Sequence, residues 1–324
     1  MADLVKVLSI DGGGIRGILP AMVLSEIEEH TGRQVSTLFD LVAGTSTGGI
    51  LALALTKPSE SGTPAYSAAD LVKLYEDQGP RIFSRSVWHE IRSVGSLLAD
   101  KYPAAGIEEV LDKYFGDARL QDALTRVMVT SYDLEARRPM FFKSWLAKQD
   151  APSDFPMKAV ARATSAAPTY FPPAKVDTAG PAGYYALIDG GVFANNPGVC
   201  AYAEARILNR GRNDFLLLSL GTGSHTRTIP YDKAKDWGVA EWAQPILSVV
   251  LDGVSTAADY QLRELLPPRD GTQRFFRFQT QLSMGSDDLD DASRTNIHAL
   301  KILAAEQLIE NNDALLKSLC GLLV

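Results

Sequence analysis

The segment LVKVLSIDGGGIRG, Leu4 to Gly17, is an apolar, β-branched run that stops at an aspartate and three consecutive glycines before a helical pattern takes over. Such a run suits a strand buried in a sheet, and the glycines suit the tight turn out of it. From Ile18 to His30 the apolar residues fall at helical spacing (Ile18, Met22 and Ile27, with Leu19 and Val23 beside them), and Thr31-Gly32 supplies a stop. The unit is strand, glycine loop, helix. It recurs at once. Leu38 to Ala43 reads as a second short strand, Gly44-Thr45-Ser46-Thr47-Gly48-Gly49 as a second glycine turn, and Ile50 to Leu55 as a second apolar helix.

Working outward, strands are expected at Arg126 to Ser131, Met140 to Lys143, Tyr184 to Ile188, Phe215 to Leu220 and Arg274 to Phe278, interleaved with helical stretches. The alternation predicts a three-layer α/β/α fold around a central, mostly parallel sheet. Ala292 to Leu319 has helical periodicity through Ile297, Leu300, Leu303, Leu308 and Leu315, as one long or broken helix packed on the sheet. Pro58 to Pro64, Gln149 to Pro156 and Asp177 to Gly183 read as surface connections. With no internal repeat, low-complexity tract or linker, residues 1–324 are expected to form one domain, its motif-bearing core at about 4–223 and its late helices at 239–319 packed on that core.

A chain of 324 residues that is 46% hydrophobic can bury a large core. Its net charge of -7 argues against nucleic acid as a partner and against general attraction to anionic membranes. Cys200 and Cys320 lie far apart and match no metal-ligand spacing, so reduced thiols and no bound metal are expected. Met1-Ala2-Asp3 lacks a basic, apolar leader, and the most apolar segment, Ile50 to Thr56, is far shorter than the roughly 20 residues of a membrane span. The expectation is a cytoplasmic protein whose membrane contact is peripheral.

Three constellations can carry chemistry. Asp11-Gly12-Gly13-Gly14-Ile15-Arg16-Gly17 stands between a strand and a helix, where backbone N–H groups converge on an anion and no side chain blocks its approach. The same letters satisfy a dinucleotide-binding fingerprint, but Ala43-Gly44 stands where the second strand should end in an acid. A plain packing turn is the third reading. Gly44-Thr45-Ser46-Thr47-Gly48 fits G-x-S-x-G, in which small neighbours let a serine sit exposed on a sharp strand-to-helix turn. The missing G-K-[ST] ending excludes a P-loop. Asp189-Gly190-Gly191 closes a strand, placing a carboxylate at its end beside glycines that leave room for another group; strand-end aspartates also serve as simple turn formers.

A serine nucleophile needs a base, ordinarily histidine. His30 ends a helix, His89 sits among Val87, Trp88 and Glu90, and His298 lies in the late helix. Only His225, after Gly221-Thr222-Gly223, follows a strand as a triad histidine would, and the order Ser, Asp, His fits such a triad.

Taken together, the three motifs resemble the patatin-like phospholipase family, in the family's order. The likeness extends to Ala163-Thr164-Ser165-Ala166-Ala167-Pro168-Thr169-Tyr170-Phe171-Pro172-Pro173 before the aspartate and Phe193-Ala194-Asn195-Asn196-Pro197 after it. It continues through Ser219-Leu220-Gly221-Thr222-Gly223 and Asp290-Asp291-Ala292-Ser293, so it spans almost the whole chain. What the resemblance implies is a lipid acyl hydrolase using a Ser46–Asp189 dyad, with no histidine and no cofactor. The N–H groups of Gly12, Gly13 and Gly14 would form the oxyanion hole, and Arg16 would serve as structural support or as a charge that attracts phosphate. Gly44, Gly48, Gly190 and Gly191 would shape the two turns. The implied partners are lipids in membranes or micelles, met by peripheral contact.

Ile82, Phe83, Val87, Trp88, Ile91, Val94 and Leu98 recur near helical spacing, flanked by Arg81, Arg85, Arg92 and Lys101, which suits either an interfacial lid or an ordinary amphipathic core helix. Trp237 and Trp242, near Ile246, Leu247 and Leu251, suit packing or an acyl channel. The competing functions are acyl transfer on the same dyad, a Ser-Asp-His hydrolase through His225, and a storage or lipid-binding protein with vestigial activity.

Overall fold

The computed structural model describes residues 4–83, 102–242 and 245–324. Eight strands form one sheet in the order β5-β6-β3-β2-β1-β7-β8, with β4 paired to β3. β1 (Val5–Ile10) is central, between β2 (Leu41–Gly44) and β7 (Phe215–Leu220), and β3 (Arg126–Asp133) and β8 (Phe275–Phe278) extend the parallel set. β4 (Arg138–Lys143) and β6 (Tyr184–Asp189) run antiparallel to β3, and β5 (Ala174–Asp177) runs antiparallel to β6. This is the expected mostly parallel sheet.

The alternation of side chains divides the interior into two layers. On β7, Leu216, Leu218 and Leu220 face one core, built with helices Ile18–Thr31, Thr47–Thr56, Met157–Thr164 and Arg294–Leu303. Phe215 and Leu217 face the other, with Ala201 and Ala205 of helix Gly198–Leu208 and Leu262 of helix Pro245–Leu265. Burial on both faces explains why β1 and β7 read as nearly continuous apolar runs.

The edges of β3 place the functional elements. β4 takes one edge over Met128–Asp133; on the other, β2 pairs up to Val129 and β6 pairs from Ser131 onward in the opposite sense. β2 and β6 therefore meet head to head at Thr130, and Gly44 and Asp189 are the two ends that meet.

The structure moves one strand boundary, settles the form of the late helix and adds a strand. The second strand begins at Leu41, not Leu38, because Val35–Leu38 is a helical turn and Asp40 closes onto Lys6, its carboxylate accepting the Lys6 N–H at 2.8 Å. The late helix is the broken one: Arg294–Leu303 passes through a wider turn at Ala304–Ile309 and a tight one at Glu310–Asn312 into Asp313–Leu323. Asn312 Nδ2 donates to the Gln307 carbonyl at 2.8 Å, a side-chain bond that competes with helix continuation. β5 is an addition. Among the described residues no helix is long and apolar enough to cross a membrane, and Cys200 and Cys320 are both unpaired.

Candidate active site

β2 ends at Gly44, and the chain reverses through Thr45 and Ser46 into helix Thr47–Thr56. Ser46 carries the turn at φ 55° and ψ -125°, a backbone a non-glycine residue keeps only where its surroundings over-determine it. Its N–H donates to Thr164 Oγ1 at 2.8 Å. Beside it, Thr45 Oγ1 donates to the Ala194 carbonyl and meets Thr130 Oγ1, both at 2.6 Å. The flanking glycines are steric requirements: a Cβ on Gly44 would lie 2.1 Å from the Gly48 carbonyl oxygen, and one on Gly48 would lie 2.2 Å from that of Ile10. The reversal leaves Ser46 at a helix N-terminus, where the partial positive charge favours negative charge on Oγ.

Asp189 arrives from the other side of Thr130 and is 5% exposed. Gly190 packs against Thr130, and the Gly191 N–H donates to Asp189 Oδ1 at 2.7 Å. The Ser46 side chain faces the same cavity and favours the charged form of that carboxylate. Burial pushes the Asp189 carboxyl up to about 7, against the opposing pull of Ser46 and of the Gly191 N–H. Near neutral pH the group therefore passes between acid and base over a small change in conditions.

The glycine loop runs beside both. Of the three amide donors expected, Gly12 is already committed: its N–H donates to the Asn195 carbonyl at 2.9 Å. Among the described residues the N–H groups of Gly13 and Gly14 meet no acceptor, and both residues line the cavity that holds Ser46 and Asp189. Arg16 is buried behind the loop, its Nε donating to the Gly13 carbonyl at 3.3 Å and its Nη1 to the Asp287 carbonyl at 3.4 Å. Desolvation brings its pKa down to about 10, still charged at neutral pH. Asp11 is tied by two bonds to Arg277 of β8, at 3.0 and 2.6 Å.

The Ser46 cavity is apolar. Its walls are Leu74 and Tyr75 of helix Ala68–Ile82 and Ile107, Val110, Leu111 and Phe115 of helix Ala104–Phe115. Ile82 and Phe83 also line it, whereas residues 84–101, most of the stretch read as lid or core helix, lie outside the described residues. A second, polar cavity of about 800 Å³ lies behind the glycine loop, lined by Arg16, Thr222, His225 and Arg277. Tyr170, Asn195, Leu247, Leu251 and Leu289 are shared by the two cavities. Trp237 and Trp242 pack edge to face at 5.1 Å and line neither.

His225 belongs to the polar cavity, where its Nδ1 pairs with Asp287 Oδ2 at 3.1 Å. His30 pairs with Glu26, and His298 is exposed on helix Arg294–Leu303. Among the described histidines none contacts Ser46 or Asp189; His89 lies outside the described residues. The segments around Thr164, Asn195 and Thr222 carry no assigned role in the sequence reading, although Gly221-Thr222-Gly223 follows a strand as the other three motifs do. The Asp11–Arg277 pair has no short-range signal, since 266 positions separate its members.

The model of the patatin-like phospholipase family matches residues 8–198. Patatin-like protein 4 of Arabidopsis thaliana is 30% identical over an alignment covering 96% of this chain and 84% of that protein. Patatin-T5 of Solanum tuberosum is 32% identical, covering 96% and 85%. A third relative, named "Probable inactive patatin-3-Kuras 1", also of Solanum tuberosum, is 33% identical, covering 96% and 88%.

Proposed function

The chain belongs to the patatin-like phospholipase family, and from that premise we propose that it is a serine lipid acyl hydrolase cleaving carboxylic esters of phospholipids or lysophospholipids on a Ser46–Asp189 dyad. The observation that carries the reading is that Ser46, on its strained turn, and a buried carboxylate, Asp189, line the wall of one apolar cavity. The cavity would take the acyl chain, and the whole of 1–324 is taken as one domain serving it.

Ser46 Oγ attacks the ester carbonyl carbon as its proton passes to Asp189. The carbonyl π electrons move onto oxygen, and the oxyanion falls toward the N–H groups of Gly13 and Gly14. Collapse expels the alcohol, which takes the proton from Asp189 and leaves an ester on Ser46. Water then attacks that ester, giving its proton to Asp189. Collapse of the second intermediate returns the proton to Ser46 Oγ and releases the fatty acid. A carboxyl held near 7 can accept and return a proton at neutral pH, as an ordinary carboxylate does poorly.

A relative that carries the words "Probable inactive" in its name makes the test direct. Wild type should hydrolyse para-nitrophenyl butyrate and a lysophospholipid and take one fluorophosphonate label, on Ser46. Ser46→Ala and Asp189→Asn should lose at least about a thousandfold in kcat. Label on another serine, or turnover surviving in Ser46→Ala, would sink the reading.

A further inference from the structure

The glycine loop is a partition, and its two faces are held differently. Gly13 and Gly14 line the apolar cavity with Ser46 and Asp189; Thr222 and Arg16 line the polar cavity behind. Thr222, 2% exposed, sends its hydroxyl to the Gly12 carbonyl at 2.6 Å. Arg16 sends Nε and its own backbone N–H to the Gly13 carbonyl, at 3.3 and 3.1 Å.

A trans peptide is planar, and its C=O and N–H point in opposite directions. The oxygen of Gly12 belongs to the same peptide as the N–H of Gly13, and the oxygen of Gly13 to the same peptide as the N–H of Gly14. Anchoring each oxygen toward the polar cavity turns each N–H the other way, toward the nucleophile. A donor on the oxygen also polarises the peptide, which strengthens the N–H as a donor.

From this we propose that Thr222 is a positioning residue for oxyanion stabilisation: by holding the Gly12 carbonyl from behind, it fixes the Gly13 N–H toward the carbonyl oxygen under attack at Ser46. The proposal rests on the Ser46–Asp189 reading. It gives a role to Gly221-Thr222-Gly223, which the dyad leaves without one. The Thr222 side chain also fills the space a Gly13 side chain would need, with Oγ1 2.3 Å from that Cβ position. Loop and threonine are therefore fitted to each other.

The test compares wild type, Thr222→Val and Thr222→Ser, with Ser46→Ala as reference. The readouts are kcat and KM on a soluble ester, and the inhibition constant of a trifluoromethyl ketone, whose adduct with a serine carries an oxyanion. Valine keeps the shape and removes the hydroxyl. Thr222→Val should lower kcat about tenfold with KM within about twofold, a fraction of the effect of deleting an oxyanion donor outright. The ketone should weaken by the same factor, and Thr222→Ser should restore most of both. Unchanged kcat in Thr222→Val overturns the role; so does a fall in kcat that the ketone does not follow, which marks a structural effect. If Thr222→Val does not fold, the serine variant decides, because a packing role predicts loss on removal of the methyl group and the positioning role does not. Turnover surviving in Ser46→Ala overturns the dyad, and the positioning role with it.

Discussion

Ser46 and Asp189 come together because the strands that carry them, β2 and β6, run head to head along one edge of β3 and end on either side of Thr130. The serine leaves through a strained turn and the aspartate through a glycine pair, so each side chain is aimed by the backbone that follows it. Burial then acts on the carboxyl: with water excluded, the charged form loses solvation and the pKa rises to about 7.

That rise fixes the sign of two pH effects. In the proposed dyad Asp189 serves as a base when ionised, so kcat/KM should climb with pH through about 7 and level off above it. Folding responds in the opposite sense. A carboxyl raised in the folded state contributes stability that is full below the unfolded value, 3.8, and lost as pH rises through about 7. Asp189→Asn should therefore gain thermal stability over wild type at about pH 8 and little at about pH 4, with a ceiling of about 4 kcal/mol. A variant less stable than wild type across that whole range would contradict the burial argument.

The backbone of Ser46 makes a separate prediction. At φ 55° and ψ -125° a glycine would sit with less strain. Ser46→Gly should abolish turnover yet raise stability by about 1 kcal/mol in denaturant titration, since relief of an unfavourable backbone is of that order. Loss of stability would mean that the side chain contributes more than its conformation costs.

The two glycine turns were legible because their meaning is local: an apolar run, then glycines, then helical spacing. β1 and β7 were legible for the same reason, both being buried on two faces. β5 was not, because Ala174–Asp177 is four residues long, follows Pro172-Pro173, and alternates buried with exposed positions. The number of loop donors was not legible either, since it depends on the Asn195 carbonyl, which reaches Gly12 only in the folded chain. The same holds for the cavity walls. Only the packing of helices Ala68–Ile82 and Ala104–Phe115 makes Leu74 and Leu111 two sides of one cavity.

Those walls should set acyl preference. Ile107 is 2% exposed and lines the cavity from helix Ala104–Phe115. Ile107→Phe narrows it, and each methylene that no longer fits is worth about 1–3 kcal/mol. The ratio of kcat/KM for a palmitoyl ester to that for a butyryl ester should fall by about tenfold or more, read from parallel assays. An unchanged ratio would place the chain elsewhere.

His225 offers the sharpest contrast with the dyad, because it is the one histidine whose sequence position suits a triad. Its ring instead bonds Asp287, which also takes the Arg227 guanidinium, and it lines the polar cavity apart from Ser46. Asp287 is held down to about 2, with Arg227 the larger cause and His225 a lesser one, so the cluster keeps an anion beside the ring at neutral pH. In this arrangement the ring is engaged with Asp287 and not with Ser46. His225→Ala should keep kcat on a soluble ester within about threefold of wild type, while loosening the Asp287 cluster by about 1 kcal/mol. Collapse of kcat with fold and fluorophosphonate labelling intact would require the loop around Gly223 to move during turnover and would put the triad back in place of the dyad.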